Sequence, residues 1–168
     1  MSDTLPRRVN GHFVSVLQKM TFLAVALVLV VACGPGDSPE EQVRIFVEAG
    51  EEAVESRKIS SVKKLISDQY KDPAMRTKRD IVVLMARYLY MNKNIHLLTR
   101  IDQLNFPQPD IARFHLYVAM TGQNVSDLDS LLNMQADLYR FDIELVLEEK
   151  EWKLYNADWR PAKSTDFF

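Results

Sequence analysis

The stretch YRFDIELVL, residues 139–147, alternates large apolar side chains with charged ones. A period of two is typical of a β-strand with one buried and one solvated face. Helices must then cover the apolar face, since an exposed apolar sheet would not be stable in water. The stretch therefore predicts an α+β domain with an antiparallel sheet.

Three further strands follow from the same period. Residues 95–102 and 113–120 alternate in the same way, and a hairpin at residues 148–150 leads to a last strand that contains Trp152 and ends near Pro161. Residues 106–109, Phe-Pro-Gln-Pro, are predicted to connect two strands. The region between the second and third strands, residues 125–135, fits either a short helix or a wide loop.

A first helix is predicted immediately before this sheet region. Ser38 and Glu41 have the spacing of a capping box, and Pro39 suits the first helical position. Apolar residues then recur at helical spacing as far as about residue 57. They form one stripe: Val43, Phe46, Val47, Gly50 and Val54.

Two more helices are predicted between the first helix and the sheet. The second starts near residue 60 and is stopped by Asp72-Pro73. The third begins at Thr77, where Asp80 three residues later completes the start signal. The predicted inward-facing residues of the two helices are Val62, Leu65, Ile66, Tyr70, Ile81, Leu84, Met85 and Tyr88.

Residues 1–33 resemble a bacterial lipoprotein signal peptide. Three basic residues precede an uncharged apolar run, residues 22–32, which ends at Cys33, the only cysteine of the chain. A helix needs about 20 residues to cross a bilayer, so a permanent transmembrane helix is the weaker interpretation. The resemblance implies cleavage after Ala32 and attachment of lipid to the Cys33 thiol.

The same resemblance implies a membrane anchor at Cys33 and a place in the cell envelope. One acyl chain binds a bilayer marginally, whereas two or three hold firmly. Gly34 follows the cysteine where an acidic residue would imply retention at the inner membrane. The expected location is therefore the outer membrane, facing the periplasm. The alternative is an ordinary secretory signal with Cys33 as a free thiol.

The predicted layout has four parts: a signal peptide at 1–32, a tether at 33–39, one domain at 40–161 and a C-terminal tail at 162–168. Removal of the signal peptide, which has three basic residues and one acidic residue, changes the net charge from −2 to −4. No run of basic residues suits a nucleic-acid backbone, so nucleic acid is not an expected partner.

Four segments carry a second resemblance. They are the amphipathic first helix, Tyr70-Lys71-Asp72-Pro73, Thr77-Lys78-Arg79-Asp80, and Glu151-Trp152-Lys153-Leu154 followed by Trp159-Arg160. Their order is similar to that of the nuclear transport factor 2-like superfamily, over roughly residues 40–160. The resemblance implies a cone in which N-terminal helices pack on a curved antiparallel sheet. That superfamily includes isomerases, dehydratases, lipid carriers and non-catalytic binding domains, so the fold alone does not decide the function.

The candidate pocket residues are Tyr70, Asp72, Tyr88, Phe114, Tyr139, Phe141 and Trp152. The resemblance places Asp72 near the mouth of the cone, whereas its neighbour Pro73 favours an aspartate that initiates a turn. The aromatic residues either line a hydrophobic pocket or fill the core. No cofactor is predicted.

A polar row is predicted on the other face of the sheet. His96, Asp102 and His115 could gather there, and a histidine beside a carboxylate is a candidate acid-base pair. The alternative is a solvated face with opposite charges across neighbouring strands. The histidines lack the spacing of metal ligands, so no metal is predicted.

Three functions are consistent with these features. The leading hypothesis is a lipid-anchored periplasmic binding or assembly domain without catalytic activity, which contacts a protein partner or a small apolar ligand. The alternatives are a pocket enzyme of isomerase or hydrolase type and a carrier of a hydrophobic molecule in the envelope. Cone folds often pair through the open sheet face, so a homodimer is also a candidate.

Overall fold

The computed structural model describes residues 38–122 and 137–166. Cys33 and the ambiguous region 125–135 lie outside these residues. The described part has three helices and one antiparallel sheet in the order β1-β2-β3-β4, which confirms the predicted α+β class. The elements are α1 Pro39–Glu55, α2 Ile59–Leu65, α3 Lys78–Met91, β1 His96–Gln108, β2 Ile111–Thr121, β3 Asp137–Glu148, β4 Glu151–Pro161 and a short 3-10 helix, Ser164–Asp166.

The start of α3 follows the predicted signal. The backbone N–H of Thr77 donates to Asp80 Oδ2 at 2.9 Å, and the two residues form a capping box. The inward face of α3 differs from the prediction at Leu84, which is 46% exposed, whereas Leu89, which was not predicted to face inward, is 3% exposed. The helix thus presents Leu84 to solvent and packs Leu89 inside.

The second helix is shorter than predicted. It ends at Leu65, and Ile66 forms an isolated parallel bridge with Leu154 of β4. The N–H of Ser67 donates to the carbonyl of Leu154 at 3.0 Å. The backbone here obtains its hydrogen bonds from the edge of the sheet, so the helix stops well before Asp72-Pro73. Ile66 and Tyr70 are nevertheless buried, each 3% exposed.

The predicted connection at residues 106–109 is also wrong, because β1 continues through Phe106 and Pro107 to Gln108. Pro107 has no N–H to donate, yet β1 is an edge strand, where the missing donor faces no neighbour. The register with β2 shifts between Asp102 and Asn105, and Gln103 has a φ of 53° at this bulge.

Strand pairing assigns each side chain to one of two faces. Phe114 lies opposite Ile143, and both pack in the same cluster as Val43 and Val47 of α1, so their side of the sheet is the inner face. The outer face includes Tyr117, which is only 7% exposed. Ala162 packs on the cluster that contains Tyr117, so the chain after β4 covers this part of the outer face.

Pro39–Phe168 forms one compact unit. Its described core has one cluster between α1 and the sheet and a second in which Val62 of α2 and Ile81 of α3 pack on Ala157 of β4. Both clusters draw only on residues of this unit, so residues 39–168 carry the core needed to fold alone. None of the helices in the described ranges combines the length and apolar character needed to span a bilayer.

Candidate functional site

One part of the inner face is closely packed. Val43 and Val47 of α1 lie on Phe114, Leu145 and Trp152. Val43 and Leu145 are fully buried, and Phe114 and Trp152 are 2% and 6% exposed. These five residues are called the packed half of the inner face.

The other part of the inner face keeps apolar surface exposed. Thr99, Val118 and Tyr139 form one row across β1, β2 and β3, which spans roughly 10 Å because neighbouring strands lie about 4.8 Å apart. Met120 and Phe141 flank this row on either side, and both are half-buried, as is Tyr139. We call this region the open half; its residues are Gly50, Glu51, Tyr88, Thr99, Met120, Tyr139 and Phe141.

Gly50 explains why α1 does not close the open half. It lies on the apolar stripe of α1, three residues after Val47, where the helix faces the sheet. Apart from the adjacent residues and the nearby backbone of α1 itself, no atom comes within 4 Å of the position that a Cβ would take at Gly50. The absent side chain therefore leaves space next to the open half.

Glu51 extends from α1 to the inner face of the sheet. The hydroxyl of Thr99 donates to Glu51 Oε1. Burial raises the pKa of Glu51 above its ordinary value, and the charges of Glu55 and Glu48 raise it further, although the hydrogen bond from Thr99 opposes them. A half-buried carboxyl group beside an apolar surface can hold one polar group of a ligand or exchange a proton with it.

The position of Glu51 on the side of α1 that faces the sheet could have been predicted from the spacing of the apolar stripe. Glu51 lies four residues after Val47 and eight after Val43, which places it on the edge of that stripe, and the sequence-based prediction missed it. A carboxylate at such a position must be paired with another group or remain in contact with solvent; otherwise its pKa is raised.

Tyr88 approaches the open half from α3. Its hydroxyl donates to Met120 Sδ at 3.3 Å. Burial raises the pKa of Tyr88, and the nearby Asp137 and Tyr139 raise it further. The helix is held in place by Arg57, whose guanidinium donates to the carbonyls of Leu89 at 2.5 Å and Lys93 at 3.0 Å.

Aromatic rings continue from the open half toward β4. The ring centroids of Tyr139 and Phe141 are 6.3 Å apart, and those of Phe141 and Trp159 are 6.1 Å apart. The guanidinium of Arg76 lies 4.0 Å from the centroid of Trp159. This cation–π contact covers Trp159 and ends the aromatic series.

Asp72 is connected to Trp159 through Arg76, which contacts both residues. Its carboxylate accepts the backbone N–H of Arg76 at 3.0 Å and the side-chain Nε at 2.6 Å. Burial alone would raise the pKa of Asp72, but the hydrogen bonds and charge of Arg76 lower it below the ordinary value. Burial also raises the pKa of Tyr70, whose hydroxyl lies 3.4 Å from Asp72 Oδ2. Asp72 is thus an enclosed, ion-paired carboxylate in a turn.

The structure divides the seven candidate pocket residues among three places. Three reach the open half, two belong to the packed half, and two form the pair beside Arg76. The open half contains Tyr88, Tyr139 and Phe141. The packed half contains Phe114 and Trp152, and the pair beside Arg76 is Tyr70 and Asp72.

Two of the three polar residues predicted on the other face, Asp102 and His115, lie opposite each other on the outer face, whereas His96 lies at the start of β1 opposite Thr121 and does not join them. His115 Nδ1 lies 2.7 Å from Asp142 Oδ1, which also accepts Arg140 Nε at 2.8 Å. His115 Nε2 lies 2.9 Å from the amide oxygen of Gln103. Burial opposes ionisation of Asp142, but Arg140 and then His115 lower its pKa below the ordinary value. His115 therefore has a partner at each ring nitrogen, as expected for a charge network across strands.

Metal binding has no support in residues 38–122 and 137–166, where no three His, Cys, Asp or Glu side chains are placed to hold an ion.

The fold is shared with solved structures of low sequence identity. Bd1075 of Bdellovibrio bacteriovorus is 14% identical with a TM-score of 0.55, and the match covers 73% of this chain but only 40% of that chain. A nuclear transport factor 2-like protein of unknown function from Pseudomonas putida is 16% identical with a TM-score of 0.55, covering 75% and 88%. A candidate scytalone dehydratase from Novosphingobium aromaticivorans is 8% identical with a TM-score of 0.60, covering 74% and 84%.

These similarities show that the described domain has the nuclear transport factor 2-like fold, as the sequence resemblance implied. No protein-family model and no curated protein matches the sequence.

Proposed function

We propose that this chain is an envelope lipoprotein, anchored at Cys33, whose domain binds a small, largely apolar ligand in the open half. The observation that carries the ligand is the set of half-buried side chains Met120, Tyr139 and Phe141 on the inner face. The open position at Gly50 comes one residue before Glu51, which is hydrogen-bonded to Thr99 of the same region. Binding pockets are typically apolar with a few polar groups that fix orientation.

The chemistry of the open half indicates what kind of ligand would fit. Tyr88, Met120, Tyr139 and Phe141 offer apolar surface, and Glu51 with Thr99 offers one hydrogen-bonding pair. A ligand with an apolar body and a single hydroxyl or amine group would match this arrangement. A strongly anionic ligand would be repelled by an ionised Glu51.

A neutral fluorescent probe, N-phenyl-1-naphthylamine, tests the proposal on residues 39–168. Its fluorescence rises in apolar sites, so we expect saturable binding. Gly50→Leu should weaken that binding by roughly tenfold or more, because the new side chain fills the space beside the open half. Glu52→Leu, which adds the same side chain on the exposed side of α1, is the matched control. Equal binding by the Gly50→Leu variant and the parent domain would disprove the site.

The anchor has its own test. In a bacterial host, labelled palmitate should enter the full chain and should be lost in Cys33→Ala but kept in Ser38→Ala. The Gly34 residue after the anchor supports sorting to the outer membrane, facing the periplasm. Recovery of the labelled protein mainly with inner-membrane vesicles would contradict that location.

Acid-base catalysis is a second candidate function, favoured by the raised pKa of Glu51 and the hydroxyl of Tyr88 above the same surface. A panel of esters and enolisable ketones would test it. Turnover that is lost in Glu51→Gln and kept in Glu55→Gln would support an isomerase or hydrolase. No turnover of any panel member would favour a binding or carrier domain, and transfer of the bound probe to acceptor vesicles would then distinguish a carrier.

A homodimer through the outer face is a separate proposal. Arg100, Tyr117, Arg140 and Arg160 form one row across the sheet, and Asp102, His115, Asp142 and Asp158 form the next. Because Ala162 packs on Tyr117, the exposed ends of the two rows, Arg160 and Asp158 of β4, would form the contact between two copies related by a two-fold axis. Sedimentation equilibrium of residues 39–168 should then show a dimer that dissociates as salt is raised.

A further inference from the structure

The solvent side of α3 is unusually apolar. Tyr90, Met91 and Val83 are 84%, 68% and 62% exposed, and Leu84 is 46% exposed. At 100° per residue these four side chains fall within one side of the helix, opposite the buried Ile81 and Leu89. The helix therefore has two apolar sides, and only one of them packs on the domain.

Basic residues lie on and beside this exposed apolar side, with Arg87 in the middle of it and Arg79 at its edge. Arg79, Arg87 and Lys93 are exposed, and none of them has a hydrogen bond or ion pair from its side chain within the described part of the chain. The acidic residue of α3, Asp80, lies in the first turn and is occupied by the backbone and hydroxyl of Thr77. The solvent side of α3 is thus apolar and positively charged.

A groove beside the start of α3 extends the positive charge. It has a volume of about 460 Å³, and Lys63 of α2 lines it together with Lys78, Arg79 and Val83 of α3. Asp68 is the acidic residue in its lining and is paired with Lys78 at 2.7 Å. The groove therefore places cationic side chains beside the apolar residues.

The rest of the domain has the opposite charge. Residues 33–168 have a net charge of −4, and the exposed residues of α1 include Glu40, Glu41, Glu48 and Glu52. The basic residues around α3 thus form a positively charged region on a domain whose net charge is negative. A surface that combines exposed apolar side chains with cationic ones is complementary to an anionic lipid bilayer, into which tyrosine and methionine can insert while the arginine head groups stay among the lipid head groups.

We propose that the solvent side of α3, together with the adjoining basic groove, docks the domain on an anionic phospholipid surface. The inference rests on the proposed envelope location but does not require lipid at Cys33. Docking fixes the orientation: α3 lies in the headgroup region, and the acidic side of α1 is kept away from the lipid charges.

Two methionines of nearly equal exposure provide the test. Met91 is 68% exposed on the proposed surface, and Met75 is 64% exposed in the turn before α3. The full chain is reconstituted in vesicles of phosphatidylethanolamine and phosphatidylglycerol, or of phosphatidylcholine alone. Hydrogen peroxide, which crosses bilayers, is added, and the oxidation of each methionine is followed by mass spectrometry.

The ratio of Met91 to Met75 oxidation should be about fivefold lower in the anionic vesicles than in phosphatidylcholine. Arg79→Glu with Arg87→Glu should remove that difference. Arg44→Glu with Lys150→Glu, an equal charge change elsewhere on the surface, should keep it. Ratios that agree within about twofold in the two lipids would overturn the proposal. Protection of Met91 that requires an added envelope protein would also overturn it, in favour of a protein partner.

Failure of this experiment would leave the Cys33 anchor standing, because palmitate labelling measures the anchor and methionine oxidation measures the contact of α3. Loss of palmitate labelling alone would remove the anchor and leave the docking proposal intact, because that proposal does not require lipid at Cys33.

Discussion

The packed half and the open half of the inner face share β2 and β3 and have the same alternation, yet they differ in burial. Phe114 in the packed half is 2% exposed, whereas Phe141 in the open half is half-buried. The difference arises from α1, which supplies Val43 and Val47 over the first region and Gly50 and Glu51 over the second. Burial in this fold is thus decided by the helix above the sheet as much as by the strand pattern.

Phe114→Ala should produce the largest loss of stability. The ring is enclosed by side chains of α1, β3 and β4, so its removal leaves a cavity that cannot collapse easily. We expect unfolding of residues 39–168 to become easier by about 3–5 kcal/mol. Urea unfolding followed by tryptophan fluorescence measures this loss. A loss below about 1 kcal/mol would show that the packed half is not packed.

Asp72→Asn should be the second largest change, because it leaves the half-buried Arg76 guanidinium without its charge partner. The expected loss is about 2–3 kcal/mol at pH 7. The pKa of Asp72 is lowered on folding, so its stabilisation exists above the unfolded value of about 3.9 and is lost as the pH falls through the folded value. The difference between the variant and the parent should therefore shrink in acid. Asp68→Asn, at an exposed ion pair, is the control and should cost far less.

Local signals in the sequence predicted much of the fold. The capping residues Thr77 and Asp80 mark the observed start of α3, and the 139–147 stretch lies inside β3. The start of α3 and the strand β3 each depend on residues close together in the sequence, so each can be predicted from one segment of the chain. The end of α2 could not be predicted in this way, because the β4 edge competes for the backbone of Ile66 and Ser67.

The candidate site was predictable only in part for the same reason. Tyr88, Tyr139 and Phe141 were named from their type and strand position, and the structure brings them to one place. The alternation treats Phe114 and Phe141 alike, so it cannot say which of them faces Gly50 and which faces Val47. The role of Glu51 depends on its contact with Thr99, 48 positions away along the chain.

Phe141→Ala sharpens the comparison of the two halves directly. The alternation alone would assign it the full cost of a buried phenylalanine, but the half-buried ring should cost about 1–2 kcal/mol. The same variant should weaken binding of N-phenyl-1-naphthylamine. Phe114→Ala should instead lower the free energy of unfolding and have little effect on probe binding by the folded domain. Equal losses of stability for the two phenylalanine variants in parallel urea titrations would remove the distinction between the packed and open halves.

Glu51→Gln should have the smallest effect, and in the opposite direction. Burial raises the folded pKa of Glu51, so the neutral form is favoured in the fold and the ionised form is penalised. The stability contributed by this group is present below the unfolded pKa of about 4.3 and is lost as the pH rises through the folded value. Glutamine cannot ionise, so the variant should be more stable than the parent by roughly half a kcal/mol at pH 7, and this difference in stability should shrink toward pH 4.

Glu48→Gln, exposed on the same helix, should show no such trend in urea titrations at the same pH values. A Glu51→Gln variant that is less stable than the parent at pH 7 would mean that the ionised carboxylate is stabilised by Thr99 rather than penalised by burial.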